Sequence, residues 1–187
     1  MHETWPDLYL RHFTRYFGKP FDVTDYRDDF DESLRLAVFD QPYPGFRLYA
    51  SLGLSLHDLE VKRMGEVILL ADAAAKEVPA IFVNALYFIL AKRIDLAARF
   101  AIGGLAMVNP QFAEYYDKSA IYIAPAEGFA EGFETVVGDD GDGSIFQGFF
   151  ISSAEQDFLN RHGAAAFEDK LYVQDADPCS LRRPPCV

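Results

Sequence analysis

Between Glu66 and Ala71 the chain reads Glu-Val-Ile-Leu-Leu-Ala, an almost unbroken apolar run of strand length. A strand with one face in water alternates polar and apolar side chains, whereas a run without alternation belongs to a strand covered on both faces. Whatever this chain folds into must cover that strand twice. Half of the 187 residues are hydrophobic and 15% are aromatic, which supplies the material and excludes a wholly disordered chain. At this length one domain is expected.

The surrounding segments set the class. Trp5, Leu8, Tyr9, Phe13, Tyr16 and Phe17 recur at helical spacing behind a Thr4 cap, with Gly18 as the stop. The acidic stretch from Asp22 to Glu32 reads as a solvated loop. Leu34–Phe39 and Phe46–Leu54 read as strands joined by the turn formers Asp40 to Gly45, a candidate hairpin. Pro79 opens a helix expected to run to about Phe100 and to end at Gly103-Gly104. Leu105 to Val108 is expected as a short strand stopped by Asn109-Pro110. Ala120–Ala124 and Ile145–Ile151 read as strands on either side of the turn-rich Gly138–Gly143. Ser153, with Gln156 completing a capping box, starts a last helical region with a break at Gly163. The order predicts a mixed sheet with helices packed on it, in the α+β or α/β class. Residues 1–173 form the expected domain; 174–187, with three prolines and little apolar material, are expected to be a mobile tail.

The net charge of −12 argues against nucleic acid, whose phosphates need clustered Lys and Arg, and favours a basic protein as partner. The longest apolar stretch, Val78 to Ala91, is broken by Asn84 and falls short of a bilayer span, so no membrane association is expected. The first residues lack the basic patch and apolar run of a signal peptide, and Cys186 stands too near the end for a prenylation box. A cytoplasmic location is the expectation. Cys179 and Cys186 do not make a disulfide framework.

Candidate chemistry is thin. Ser55 and His57 evoke a nucleophile and its base, but the nucleophile elbow needs Gly two residues after Ser, and His57 stands there. A small hydrolase built on Ser55 and His57 is the alternative function; a turn serine at a strand end is the plainer account. Asp139, Asp140 and Asp142 lack the register and the final Glu of a calcium loop. The four histidines form no metal-ligand spacing, and there is no glycine-rich phosphate loop. Neither metal nor cofactor is expected.

Two features point to binding instead. Acid is concentrated in Asp22–Glu32 and again in Glu127–Asp142, and Asp25, Asp28, Asp29, Asp139, Asp140 and Asp142 are the candidate residues of an acidic docking face. Ile81 and Phe88 interrupt the otherwise polar side of the long helix formed by Glu77, Asn84, Lys92, Asp95 and Arg99. Cover by another element is the simpler explanation; a patch for a partner or for a second copy of the chain is the other.

The order of these motifs resembles the Suppressor-of-fused-like domain family. The resemblance begins at Tyr49-Ala50-Ser51-Leu52-Gly53-Leu54-Ser55 and continues through Glu66–Leu70, Pro79 with Leu86–Ala91, Gly104 and Asn109-Pro110. It resumes at Ile121–Ile123 with Pro125, then Ile145–Ile151, Ser153–Leu159, Gly163 and Leu171. It implies a single three-layer α/β domain: a central mixed sheet flanked by helices. Animal members carry a second domain and grip a short peptide of a transcription factor; single-domain bacterial members look like immunity proteins. The family supplies no catalytic residues, and Gly53, Pro79, Asn109 and Pro110 are expected to be architectural. The long helix is more apolar than the family pattern, and the tail beyond Leu171 has no counterpart. The resemblance implies a bacterial, non-enzymatic protein-binding module.

Overall fold

The structure is a computed structural model that describes residues 3–27, 33–57, 64–139 and 141–187. Helix α1 (Trp5–Phe17) comes first, with Thr4 at its N-cap and Gly18 at its C-cap. Eight strands follow: β1 (Asp22–Arg27), β2 (Ser33–Asp40), β3 (Phe46–Leu52), β4 (Gly65–Asp72), β5 (Phe100–Gly103), β6 (Ala120–Pro125), β7 (Thr135–Gly138) and β8 (Gly141–Ile151). Between β4 and β5 lies α2 (Val78–Lys92); α3 (Leu105–Val108) and α4 (Pro110–Tyr116) separate β5 from β6. After β8 come α5 (Ser153–His162) and α6 (Ala164–Val173).

The described strands make one open sheet in the order β1-β2-β3-β4-β8-β6-β5, with β7 also paired to β8. β4 and β8 run parallel, and every other described pair is antiparallel. β4 therefore lies inside the sheet, between β3 and β8, as its unbroken apolar sequence requires.

Register assigns the faces. Val38, Tyr49, Leu69, Gly148 and Ile123 stand in one row, and Ala37, Ala50, Ile68, Gln147 and Ala124 in the next. The first row's face shares a core with α2 (Val78, Phe82, Leu86, Ile89), with Leu105 of α3 and with Phe112 of α4. The second face is covered in two pieces. Tyr9 and Phe13 of α1 pack with β2, β3 and β4, while Leu159 of α5 and Phe167 of α6 pack with β6 and β8. The result is the three-layer mixed α/β architecture.

Several elements differ from the sequence reading. Asp22–Arg27 is a strand, not a loop: it is mostly exposed and held by its ladder to β2. The long helix ends at Lys92 because Arg93 adopts a left-handed conformation (φ 52°) and its N–H returns to the carbonyls of Ile89 and Leu90. Asp95 then caps a short 3-10 turn, and Phe100–Gly103, expected inside the helix and its stop, is a strand beside β6. Leu105–Val108 is a helical turn rather than a strand. Asn109-Pro110 opens α4 instead of stopping a strand, the Asn109 carboxamide accepting from the Phe112 N–H at 3.0 Å. The capping box of α5 is shifted by one residue: Ser152 is the cap and Glu155 its partner. Gln156 instead accepts a hydrogen bond from the Ser119 hydroxyl at 2.9 Å.

The tail is anchored. Leu181 is 1% exposed within the core on the α2 side, and its N–H donates to Asp72 Oδ2 at 2.6 Å. Arg183 forms a buried ion pair with Glu155 and donates to the Phe150 carbonyl at 3.2 Å. The Lys118 ammonium donates to the Arg183 carbonyl at 3.2 Å, and the Cys186 N–H to Glu155 Oε1 at 3.1 Å. Sparse apolar content misleads here because the anchors are polar.

Candidate functional site

Ser51, Ser55 and Glu66 converge where β3 gives way to the 3-10 turn Leu54–Leu56. Glu66 Oε2 accepts from Ser51 Oγ at 2.6 Å, and Oε1 from Ser55 Oγ at 2.6 Å. The N–H groups of Gly53 and Ser55 also donate to Oε1, at 2.7 and 3.1 Å, and that of Leu54 to Oε2 at 3.3 Å. Gly53 makes the turn possible: its φ is +134°, and a β-carbon there would stand 3.2 Å from Leu34 Cδ2. Burial pushes the Glu66 carboxyl above the usual range, while the hydroxyls of Ser51 and Ser55 and the N–H groups of Gly53 and Ser55 pull it down.

This arrangement bears on the serine–histidine hypothesis. Ser55 is 3% exposed and its hydroxyl donates a hydrogen bond to Glu66, which is fully buried. His57 ends the turn, its N–H donating to the Leu54 carbonyl at 2.9 Å. The cluster ties β3 to β4, with the Ser55 oxygen buried in it. Gly53 and Asn109 serve as architecture, as expected, and Pro79 and Pro110 stand in the first turns of α2 and α4.

The candidate binding residues scatter. Asp25 is exposed on β1, in register with Arg35. Asp142 is exposed on β8 opposite Val137, and exposed Asp139 lies in the turn before it. Asp28, Asp29 and Asp140 lie outside the described residues. β2, β3 and β4 stand between β1 and β8, so at ~4.8 Å per strand Asp25 is set roughly 19 Å across the sheet from the strand bearing Asp142. Ile81 does not join an exposed patch. It is 2% exposed, in the core cluster that also takes Val78 from the start of α2 and Ala75 just before it, whereas Phe88, two turns on, is 42% exposed. Ile81 is therefore covered by the rest of the fold, and only Phe88 of the two is at the surface.

A groove the sequence did not single out lies on the second face of the sheet, where the cover from α1 and the cover from α5 and α6 do not meet. It has a volume of about 590 Å³. Gln147 and Phe149 of β8 and Pro125 of β6 line it from the sheet, Leu171 and Tyr172 from α6. Glu127, Glu168 and Asp175 are its charged lining, with no Lys or Arg. Glu168 accepts from the Tyr122 hydroxyl at 2.7 Å and pairs with Arg99, which also reaches Glu127 at 3.6 Å. Only Glu127 falls inside the two acidic stretches singled out in the sequence; Glu168 and Asp175 lie outside them, and folding brings the three together.

Among the described residues no three His, Cys, Asp or Glu side chains gather as metal ligands, and no helix is long and apolar enough to cross a membrane.

No protein-family model matches the chain, and a search of curated proteins returned no relative. Solved structures do match. A protein described as a SUFU (suppressor of fused protein) homolog from Neisseria gonorrhoeae FA 1090 superposes with a TM-score of 0.76 at 13% identity, over 98% of this chain and 97% of that one. A chain of the Sufu–Fu complex superposes with a TM-score of 0.68 at 11% identity, over 100% of this chain and 93% of that one. With its mixed sheet and helical layers matched along nearly the whole length, the chain has the Suppressor-of-fused fold.

Proposed function

We propose that this chain is a non-enzymatic protein-binding module of the bacterial cytoplasm. It acts by occlusion: an acidic surface covers a basic site on a partner protein, as an immunity protein covers a toxin. The observation that carries the reading is the likeness, over the full chain, to a protein crystallised in a complex with another protein, Fu. Two further features support it. The net charge of −12 steers a basic partner and repels nucleic acid and anionic lipid. The serine suggested as a nucleophile is instead bound to a buried carboxylate.

The test is co-expression with the product of the neighbouring reading frame, followed by titration at two ionic strengths. A complex is expected whose affinity falls at least about tenfold between about 50 mM and 500 mM salt. The partner's activity should be lost on binding. Affinity indifferent to salt would remove the electrostatic mechanism, and turnover of a substrate that Ser55→Ala abolishes would remove the non-enzymatic reading.

A further inference from the structure

The second face of the sheet carries a gap in its helical cover, and the chemistry of that gap differs from the rest of the surface. Phe149, Leu171 and Pro125 give it an apolar lining. Beside them Tyr172 and Val173 at the end of α6 are 88% and 78% exposed, unusual for large apolar side chains in one run. Three carboxylates, those of Glu127, Glu168 and Asp175, line the same groove; the Arg99 guanidinium, outside the lining, pairs with Glu168 and reaches Glu127 at 3.6 Å, so two of the three share one cation. A volume of about 590 Å³ falls in the range of sites that enclose a small ligand or a few side chains.

We propose that this groove is the docking site for a basic segment of the partner protein, which seats an aromatic or aliphatic side chain against Phe149 and Leu171 and places Lys or Arg beside Glu127 and Asp175. The assignment rests on the protein-binding reading and deepens it by naming the surface and the partner's chemistry. Charge selects this occupant. Nucleic acid and anionic lipid would bring negative charge to an acidic lining. A second copy of a chain with net charge −12 would do the same. A purely apolar segment would leave Asp175 without a cation beside it and Glu127 with only its share of Arg99 as water is displaced.

The experiment is an NMR titration of the full chain with three synthetic peptides: Lys-Arg-Trp-Lys-Arg, the same with Ala for Trp, and Glu-Glu-Trp-Glu-Glu. The first is expected to shift the amides of Gln147, Phe149, Leu171 and Ala176. The second should bind at least about tenfold more weakly and the third not measurably. The double variant Glu127→Lys, Asp175→Lys, both at exposed positions, should lose at least about tenfold for the first peptide, while Asp25→Lys on β1 changes it by less than about twofold. Unchanged circular dichroism and melting temperature would show that the variants are folded. Shifts confined to other residues, equal binding of the Trp and Ala peptides, or no binding overturns the assignment. So does movement of the same amides when the chain alone is concentrated, which would mark a self-contact.

The outcome is separable from that of the broader reading. A partner complex that survives Glu127→Lys, Asp175→Lys but not Asp25→Lys would sink the groove and leave the binding module standing. Groove binding of the peptide, with no protein complex ever formed, would do the reverse.

Discussion

At the scale of single residues the most consequential feature is a carboxylate placed where hydrophobic side chains are expected. Glu66 sits in an otherwise apolar strand, fully buried, and is tolerated because donors from Ser51, Gly53, Leu54 and Ser55 surround it. Ser51 has two duties: its hydroxyl donates to Glu66 and accepts from the Val67 N–H at 2.8 Å. Ser51→Ala removes both, leaving a buried N–H without that acceptor and Glu66 short of a donor. A loss of about 1–3 kcal/mol is expected in urea unfolding. Ser55→Ala leaves the three backbone donors in place and should cost less. The two cysteines make a second residue-scale case. Burial pushes the Cys179 thiol up to about 12 and the Cys186 thiol up to about 11. Thiolate is scarce at pH 8, so both should react slowly with an aromatic disulfide reagent until the chain is opened.

Among the elements, the tail and α5 depend on each other. Glu155 caps its own helix through the Ser152 N–H at 2.8 Å and pairs with Arg183, which lies 28 residues later in the chain. Burial alone would raise the Glu155 carboxyl, but the Arg183 guanidinium and the N–H groups of Ser152 and Cys186 outweigh it and hold its pKa below the usual glutamate range. A depressed folded-state pKa stabilises in full above the ordinary range and is lost as pH falls through the depressed value. The protection factors of the Leu181 and Cys186 amides, taken relative to the intrinsic exchange rate at each pH, should therefore fall on acidification through that window, ahead of those of the strand amides of β3 and β4. Arg183→Ala strands a buried carboxylate and should cost about 3–5 kcal/mol. It should also make Cys186 reactive at pH 8, which separates tail release from a general loss of stability.

The elements also show which parts of the fold were legible. The apolar runs of β2, β3, β4, β6 and the later part of β8 announce themselves because burial leaves a periodic or continuous signal. β1 does not, since this edge strand is held mainly by backbone pairing, with Tyr26 its one side chain against the core; its pattern is mostly exposed. β5 was hidden because apolar residues run on from α2, and the break depends on left-handed Arg93 and Arg99, residue types that carry no turn signal. The ion pair that docks the tail joins residues too distant in sequence for spacing to connect. The groove was illegible for the same reason: Glu127, Glu168 and Asp175 come from three separate segments.

For the molecule as a whole, we propose that the folded unit takes in the tail, whose Leu181 and Arg183 are buried against it. A protein ending at Val173 would lack Leu181, Arg183 and the N–H of Cys186, leaving Glu155 buried and unpaired. Such a truncation is expected to lose cooperative unfolding in a denaturant titration, whereas a mobile tail could be removed without effect. The second face of the sheet, roofed in two pieces, is also where partner recognition is assigned.

The parallel pairing of β4 with β8 has a consequence for how the protein is made. β4 is apolar from Val67 to Ala71, and its neighbour on one side, β8, lies some seventy residues downstream. During synthesis the first strands leave the ribosome and can assemble, but an open, greasy edge must wait until Gly141–Ile151 arrives. Nascent chains stalled before that point should be the ones that chaperones hold and that clump when released. Resistance to protease is expected only once α5, α6 and the tail that pairs with Glu155 have also left the ribosome.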